Sequence, residues 1–310
     1  MSRVSVALGV FDGVHLGHRA MLDAAVAAAR GGEVVAVTFD PHPLAVVTGE
    51  APLLLCTMEE RHALLLAAGA SRVEVLPFSK ELAVLPPAAF HEQWLVERLQ
   101  SDSVVVGDNF RFGHRAAGDV VTLRELSGAA GIDTVIVPLE LAGGEPVSST
   151  RIRRLLLDEG DVTSAARLLG RRFQLTGPVV LGAQRGRTLG MRTANLGLAS
   201  TLAIPLDGVY AGIATVDGLG DFDAAVSIGT NPQFHEVGDA PARSVEAHLL
   251  EYEGPDFYGA TCSVRFVRRL RGQAVFADVD ALVAQMRQDL DATRHALAAD
   301  RRDSARSTVS

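Results

Sequence analysis

SVALGVFDGVHLGH, residues 5–18, is the stretch that decides the fold of the first half of the chain. Its short apolar run, Ser5–Val10, is typical of a buried strand, and a helical pattern follows at Arg19–Arg30. Gly31 and Gly32 then predict a left-handed end to that helix. A glycine-containing turn between a strand and a helix offers backbone N–H groups and the positive helix end to an anion. The stretch therefore predicts the first strand–helix unit of an α/β fold, with an anion site at its turn.

The alternation of strands and helices continues through the first half of the chain. Strands rich in Val or Ile are predicted at Glu33–Phe39, Arg72–Leu76, Ser103–Val106 and Thr134–Val137, and helices at Met58–Ala68, Ala88–Leu99, Thr122–Ala130, Ser149–Glu159 and Val162–Leu169. Strands separated by helices of this length predict a parallel sheet that is covered on both faces. Ligands of such sheets gather at the carboxyl ends of the strands.

The hydrophobic period changes after Phe173, where strands follow one another without helices. They are predicted at Gln174–Leu181, Gly208–Val216, Phe222–Ile228, Ser244–Leu250 and Thr261–Arg269. Such a run predicts a small antiparallel β-barrel, and an amphipathic helix over Val279–Ala299 follows it. The expected fold class is α/β plus β. A Rossmann-like N-terminal domain spans residues 1–170, the barrel domain with its terminal helix spans residues 171–300, and residues 301–310 form a flexible tail.

Composition narrows the classes of function. The chain has 310 residues and a formal net charge of −8, which argues against nucleic acid and anionic membranes as partners. No stretch approaches the roughly 20 apolar residues of a membrane helix, and the N-terminus lacks the pattern of a signal peptide. Two distant cysteines match no metal-ligand spacing and are expected to be buried free thiols. We expect a cytoplasmic protein, and weak self-association is left open.

Two imidazoles, His15 and His18, flank Gly17 at the first strand-to-helix turn. Imidazole hydrogen bonds to phosphate oxygens stabilise the charge that grows as a bridging bond breaks. At a site of this kind an incoming phosphate can attack a phosphorus of a bound nucleotide directly, so positioning would do most of the catalysis and no protein nucleophile is needed. The alternative is a pair of surface histidines in a glycine-rich turn. The position between the first strand and a helix favours the phosphate site.

Three further polar segments are expected at the same edge of the sheet. TFDPHP (38–43) ends the second strand, VGDNFRFG (106–113) ends the fourth, and VSSTRIR (147–153) opens a helix. Arginine in the first turn opposes the helix dipole, and a bound anion is the favoured explanation. Each segment alone is compatible with an ordinary capped loop, but all three together favour one shared site.

The ordered set GVFDGVHLGH, TFDPHP, VGDNFRFG and VSSTRIR closely resembles the bacterial bifunctional riboflavin kinase/FMN adenylyltransferase family, also called FAD synthetase. The resemblance runs from about residue 5 to residue 295. It implies that the catalytic residues His15 and His18 bind and stabilise the ATP phosphates and that Ser149, Thr150 and Arg153 hold the triphosphate. Gly9, Phe11 and Gly17 in the turn are also expected to bind ATP. It also implies that Asp40 and Asn109 line the nucleotide and flavin side of the site.

The second half carries weaker motifs. GAQRGRTLG (182–190) is a glycine-rich loop that either cradles phosphates or forms a plain hairpin. The phosphate interpretation assigns binding to Gly182, Gly186, Arg187 and Gly190. Next, Thr193 and Asn195 supply the oxygen ligands that Mg²⁺ prefers.

The segment around Thr193 resembles the riboflavin kinase signature, and the resemblance implies that Glu246 is the general base for the riboflavin hydroxyl. The chain departs from the family at Arg192, where a proline normally precedes Thr-Ala-Asn, and at Gln233, where threonine is usual. Loss of the proline is expected to loosen the metal-binding turn.

The expected function is therefore bifunctional. Riboflavin is phosphorylated to FMN, and FMN is adenylylated to FAD with release of pyrophosphate. The substrates are riboflavin, FMN and ATP, and Mg²⁺ serves both steps. One alternative is an FMN adenylyltransferase whose kinase domain is weakened or inactive. A flavin-binding protein without turnover is disfavoured because the phosphate-binding residues are intact, and a different adenylyl acceptor is disfavoured because the barrel is attached.

Overall fold

The computed structural model describes residues 3–181, 193–230 and 243–307. They form two compact units that divide between Arg151 and Ile152. In the first unit the strands are β1 (Val4–Leu8), β2 (Glu33–Asp40), β3 (Arg72–Pro77), β4 (Ser103–Gly107) and β5 (Asp133–Val137). All pair in parallel, in the order β3-β2-β1-β4-β5. The predicted parallel sheet is confirmed.

Helices flank this sheet. They are α1 (Leu16–Ala29), α2 (Pro43–Val47), α3 (Met58–Ala67), α4 (Lys80–Ala83), α5 (Pro87–Phe90), a π-helical turn His91–Arg98, a 3₁₀ turn His114–Ala116, and α6 (Val120–Ala129). A two-stranded hairpin, β6 (Leu141–Ala142) and β7 (Glu145–Pro146), precedes α7 (Ser149–Arg154), which continues as a π-helical segment, Leu155–Glu159.

Apolar side chains on both faces of the sheet explain its two layers of helices. Along β1, Val6 and Leu8 join a core with Phe90 and Leu123, whereas Ala7 joins a second core on the opposite face. Successive strand residues point to opposite faces, so a strand covered on both sides is apolar throughout.

The start of α1 differs from the prediction. The helix begins at Leu16 rather than at Arg19, because the side chain of His15 caps it by accepting a hydrogen bond from the His18 N–H. Its left-handed end begins at Arg30 (φ 51°) and includes Gly31 (φ 85°), the first of the two predicted glycines. The earlier start places Gly17 and His18 inside the first helical turn.

The second unit is built on a closed antiparallel barrel. Its strands are β8 (Gln174–Val180), β9 (Thr193–Leu196), β10 (Gly208–Val216), β11 (Gly220–Thr230), β12 (Arg243–Leu249) and β13 (Thr261–Arg271), in the order β10-β11-β12-β9-β8-β13. The helices in the described part of this unit include α8 (Val162–Leu169) and α9 (Val279–Ser307). The barrel class is confirmed, but sequence analysis did not predict β9, whose four residues are too few for a clear alternating pattern.

Contacts divide the chain at residue 151, because α8 packs on β13 of the barrel. The domain bounds predicted from the sequence, 1–170 and 171–300, stay predictions. Helix α9 extends to Ser307, beyond its predicted end at Ala299. Ion pairs from Arg301 to Asp223 and from Asp300 to Arg172 tie this polar stretch to the rest of its unit.

None of the helices in the described ranges is long and apolar enough to cross a membrane. Cys56 and Cys262 are free thiols, and both are buried, as predicted.

Candidate active sites

The loop between β1 and α1 has an unusual backbone. Phe11 (φ 54°), Gly13 (φ 77°) and Val14 (φ 40°) all have left-handed conformations. Such angles are strained for residues with a Cβ atom, above all for β-branched valine, at roughly 1–3 kcal/mol each. Phe11 and Val14 are also fully buried in the core between the sheet and α1. Because strain of this kind persists only where surrounding contacts over-determine it, the loop is held by its neighbours.

Asp12 makes polar contacts that hold this loop in place. Its carboxylate accepts a hydrogen bond from the Leu55 N–H (Oδ1, 2.9 Å), and its backbone carbonyl accepts one from the Ser149 hydroxyl (2.9 Å). The Gly13 N–H donates to Sγ of Cys56 (3.3 Å). Residues 55–56 and the start of α7 are thereby joined to the loop that carries the histidines. Ser149 thus lies against the first predicted phosphate motif.

His15 and His18 lie face to face at the start of α1. Their ring centroids are 3.6 Å apart and their planes are inclined by 17°. Nδ1 of His15 accepts the His18 N–H (3.4 Å), which assigns the proton of a neutral His15 to Nε2. The edge-on ring of Phe11 lies 5.1 Å from His18. Phe11, a predicted ATP-binding residue, therefore has its side chain committed to the core.

The environment of His18 favours the neutral imidazole. Burial lowers the pKa of His18 well below 6.5, and the electrostatic effects of His15 and Arg61 lower it further. Nδ1 of His18 is buried without a hydrogen-bond partner in the described part of the chain, so a protonated ring would place an unsatisfied N–H there. A phosphate bound beside the rings would offset both effects.

Gly17 lies close to the ring of His15, and its predicted role in approaching a ligand stays a prediction. A Cβ atom at this position would lie 3.3 Å from Cε1 of His15 and 3.8 Å from Cβ of Glu140. Gly9, at the end of β1, would meet the ring of Phe11 at 3.3 Å. Both glycines therefore keep the turn compact around the histidine pair.

Asp40 and Asn109 flank the histidine loop. Asp40 ends β2 and Asn109 follows β4, and these two strands are the neighbours of β1 on either side. Both side chains are exposed. Because the carboxyl ends of parallel strands meet at one edge, the structure brings these two predicted residues to the edge that carries His15 and His18.

Helix α7 places Ser149 at the site. Its Arg151, for which the sequence favoured a bound anion, has partners within the protein instead. Ser148 caps the helix by accepting the Arg151 N–H (3.2 Å), and Thr150 is exposed. The Arg151 guanidinium donates to the carbonyl of Ala142 (2.9 Å) and pairs with the carboxylate of Glu145 (3.3 Å). The β6–β7 hairpin, rather than a bound anion, therefore explains this arginine in the first turn. Arg153 is half-buried one turn further along the same helix.

The network beneath the loop contains residues that sequence analysis missed as site residues. Arg61 of α3, Thr38 of β2 and Asp12 are all buried. Arg61 pairs with Asp12 (Nη2 to Oδ1, 3.6 Å), and Thr38 donates to the Val10 carbonyl (2.8 Å). A signal was present, since Arg61 lies one turn before the buried Leu65 and so occupies an apolar position of an amphipathic helix.

The second site lies on one face of the barrel. Glu246 of β12 stands directly opposite Asn195 of β9, and His248 stands opposite Thr193. Their neighbour Ala247 is buried inside the barrel, so these four side chains point to the opposite face. Glu246, His248 and Thr193 are half-buried. The register therefore brings together the predicted base and both predicted metal ligands.

The donor set fits a small divalent cation. Asn195 is only 6% exposed, and its Oδ1 has no hydrogen-bond partner among the described residues. A buried carbonyl oxygen without a donor is costly unless it meets a ligand, and Mg²⁺ prefers such oxygens. The other predicted kinase residues, Gly182, Gly186, Arg187 and Gly190, lie outside the described residues, as do Arg192 and Gln233.

Each of the two units matches a known protein family. The FAD synthetase family matches residues 1–151, and the riboflavin kinase family matches residues 169–297. The first match contains His15, His18 and Ser149, and the second contains Thr193, Asn195 and Glu246. The fold and the sites therefore define a two-domain protein of the flavin kinase and nucleotidyltransferase class.

Curated relatives cover nearly the whole chain. Bifunctional riboflavin kinase/FMN adenylyltransferases from Listeria monocytogenes and Escherichia coli K12 are 33% and 34% identical, over 93% and 91% of this chain and 91% and 89% of theirs. A solved structure described as a macrolide-efflux protein from Streptococcus pneumoniae shares the fold, with a TM-score of 0.85 and 31% identity over 94% of each chain. The chain belongs to the bifunctional riboflavin kinase/FMN adenylyltransferase family.

Proposed function

We propose that this protein phosphorylates riboflavin to FMN at the barrel site and adenylylates FMN to FAD at the sheet site, with ATP as co-substrate in both reactions. The family membership supports the pair of activities. The observation that carries the assignment is the contact of Ser149 with the loop of His15 and His18, because two phosphate motifs far apart in sequence meet there.

In the adenylylation, a phosphate oxygen of FMN attacks the α-phosphorus of ATP as the bond to pyrophosphate breaks. His15 and His18 donate hydrogen bonds to the phosphate oxygens on which negative charge grows. Ser149, Thr150 and Arg153 hold the triphosphate, while Asp40 and Asn109 contact the nucleotide and the flavin. Because His18 is neutral before ATP binds, the charge of the triphosphate raises its proton affinity at the moment when a donor is needed.

In the phosphorylation, the Glu246 carboxylate takes the proton of the riboflavin hydroxyl while that oxygen attacks the γ-phosphorus, and ADP leaves. Thr193 and Asn195 are the residues that would hold Mg²⁺. When bound, the ion neutralises charge on the phosphates of ATP. His248 lies beside Glu246 on the same face and stands opposite Thr193.

Two features of the chain support the predictions of its compartment and of its partners. Free buried thiols support the prediction of a reducing, cytoplasmic compartment. The net charge of −8 supports the prediction that nucleic acid is not a partner.

A product assay tests the two activities. Purified protein is supplied with ATP, Mg²⁺ and either riboflavin or FMN, and flavins are separated by chromatography. We expect the wild type to convert riboflavin to FMN and FAD. A His15→Ala/His18→Ala variant is expected to stop at FMN, and Glu246→Gln is expected to use supplied FMN but not riboflavin.

Glu253→Gln is the matched control for the kinase variant, because it makes the same chemical change at an exposed position of the second unit. Wild type that forms FAD only from supplied FMN would favour the alternative of an inactive kinase. Loss of both activities in either variant, with the fold intact, would contradict two separate sites.

A further inference from the structure

Arg61 is the largest side chain in the fully buried part of the described chain. It lies on α3 and is only 1% exposed. Burial of a guanidinium is costly unless charge and hydrogen bonds compensate it. An aliphatic side chain would fill the same space between α3 and the sheet at no such cost. The position therefore calls for an explanation beyond packing.

The contacts of Arg61 are long. Its Nη2 lies 3.6 Å from Oδ1 of Asp12, and its Nη1 donates to Oγ1 of Thr38 (3.4 Å) and to the carbonyl of Phe39 (3.5 Å). Nε is buried without a partner among the described residues. Good hydrogen bonds of this type are about 2.9 Å long. The guanidinium thus spans several acceptors without closing tightly on any one of them.

These acceptors lie where the candidate site is built. Thr38 and Phe39 are the two residues of β2 before its last residue, Asp40. Thr38 also donates a hydrogen bond to the carbonyl of Val10 in the histidine loop. Asp12 is the central residue of that loop. Arg61 therefore connects the end of β2, which carries Asp40, to the loop after β1, which leads to His15 and His18.

We propose that Arg61 is a positioning residue for adenylyl transfer, which holds the strained loop of residues 11–14 through Asp12 and so keeps the histidine pair stacked toward ATP. This inference rests on the function proposed above. Arg61 touches neither the substrate nor the reacting atoms in this assignment. It acts through Asp12 and through its charge.

The charge of Arg61 has a second effect at the same place. The charged and titratable groups that act on His18 in the described chain are His15 and Arg61, and both lower the pKa of His18. A fixed cation beneath the stack therefore adds to the effect of burial in keeping His18 neutral until an anion arrives. The aromatic edge of Phe11 completes the surroundings of His18.

The test uses the full-length protein with Arg61→Met, Arg61→Lys and Asp12→Asn. Displacement of catalytic groups by about 1 Å costs roughly a hundredfold in rate, so we expect kcat for FMN adenylylation to fall by that order in Arg61→Met. The KM for ATP should change by less than about threefold, because the residues that hold the triphosphate are intact. Arg61→Lys should recover part of the rate, since it restores the charge.

Two readouts separate positioning from a general loss of stability. The riboflavin kinase rate of the same molecule should stay at the wild-type value. The His18 pKa, measured by NMR titration, should rise toward 6.5 in Arg61→Met but stay near the wild-type value in Arg61→Lys, where the charge is kept, whereas loosened packing would raise it in both variants. Arg98→Met is the matched control, because Arg98 is an exposed arginine of the same unit that pairs with Glu74 (2.7 Å).

The outcomes are distinct. Arg61→Met with a wild-type kcat and an unchanged His18 pKa overturns the inference while leaving the proposed function standing. A wild-type protein that makes no FAD overturns the proposed function itself. If Arg61→Met fails to fold, the near-isosteric Asp12→Asn decides: a wild-type kcat rejects the role of the pair, and a large loss of kcat at unchanged KM supports it.

Discussion

The Ser149 hydroxyl donates a hydrogen bond of 2.9 Å to the backbone carbonyl of Asp12, a residue 137 positions earlier in the chain. This bond fastens the start of α7 to the loop in which Phe11 and Val14 adopt left-handed conformations. It joins two motifs that are each ambiguous alone. It also commits the Ser149 proton to the protein, so the hydroxyl donates to a phosphate oxygen only when this bond opens.

Removing that hydroxyl gives the first prediction. Ser149→Ala leaves the Asp12 carbonyl without its donor and costs about 1 kcal/mol, together with any contact to phosphate. We expect the rate of FMN adenylylation to fall about tenfold or more, as each 1.4 kcal/mol of lost transition-state stabilisation requires. The riboflavin kinase rate of the same protein should not change. Steady-state assays of both reactions measure this.

Ser101→Ala is the matched control. The Ser101 hydroxyl donates to the carbonyl of Leu95 (2.7 Å) in the same unit, just before β4 and so at the opposite end of the sheet. It should lose similar stability and keep its adenylylation rate. Equal rate losses in both variants would show that stability, not the site, explains the effect of Ser149.

The second prediction concerns the metal requirement of the kinase reaction. Asn195→Ala removes the buried Oδ1 that lacks a donor in the described chain, and with it one expected oxygen ligand. The Mg²⁺ concentration that gives half of the maximal kinase rate should rise about tenfold or more. The Mg²⁺ dependence of adenylylation in the same sample serves as the control. An unchanged Mg²⁺ titration of the kinase would remove Asn195 from the metal site.

The third prediction is a stability change with pH. Because the pKa of His18 is lowered on folding, only the unfolded chain binds this proton between the folded value and 6.5. The free energy of unfolding should therefore be full above pH 6.5 and fall as the pH drops below it, by up to about 1.4 kcal/mol per pH unit for one proton. Urea unfolding of wild type and His18→Gln between pH 8 and pH 5 measures this, and the variant should show the shallower slope.

Other histidines set the background of that experiment. Burial also lowers the pKa of His91, so some slope should persist in His18→Gln with the same sign. His62 is exposed on α3, and His62→Gln is the control for the chemical change from His to Gln itself. Identical slopes in wild type and His18→Gln would show that His18 titrates alike in both states.

The fourth prediction is that both cysteines resist thiol reagents. Burial, with the Asp12 charge nearby, raises the pKa of Cys56 to about 11, and burial raises the pKa of Cys262 to about 11. At pH 8 the thiolate is then roughly one part in a thousand, and the thiolate is the reactive form. A chromogenic disulfide reagent should detect no thiol in the native protein and two in denaturant. Fast reaction of one thiol in the native state would contradict the burial of that cysteine.

The parallel sheet and the barrel were both predictable, because each rests on a hydrophobic period that short segments carry by themselves. Val6 and Leu8 pack on one face and Ala7 on the other, which the unbroken apolar run anticipates. The start of α1 was not predictable, because the imidazole of His15 replaces the usual capping residues. Arg151 was misinterpreted for a similar reason, since its partners belong to a hairpin of only four strand residues.

The sequence by itself determined the alternation of elements, the two phosphate motifs and the family to which they belong. Hydrophobic periodicity and local motifs can be recognised from residues that are close together in the sequence. Only the tertiary structure decided that Ser149 contacts Asp12, that Glu246 stands opposite Asn195, and that Arg61 is buried beneath the histidines. Such contacts depend on how strands align and how loops close over long separations, and those relations are set by packing of the whole unit rather than by any local pattern.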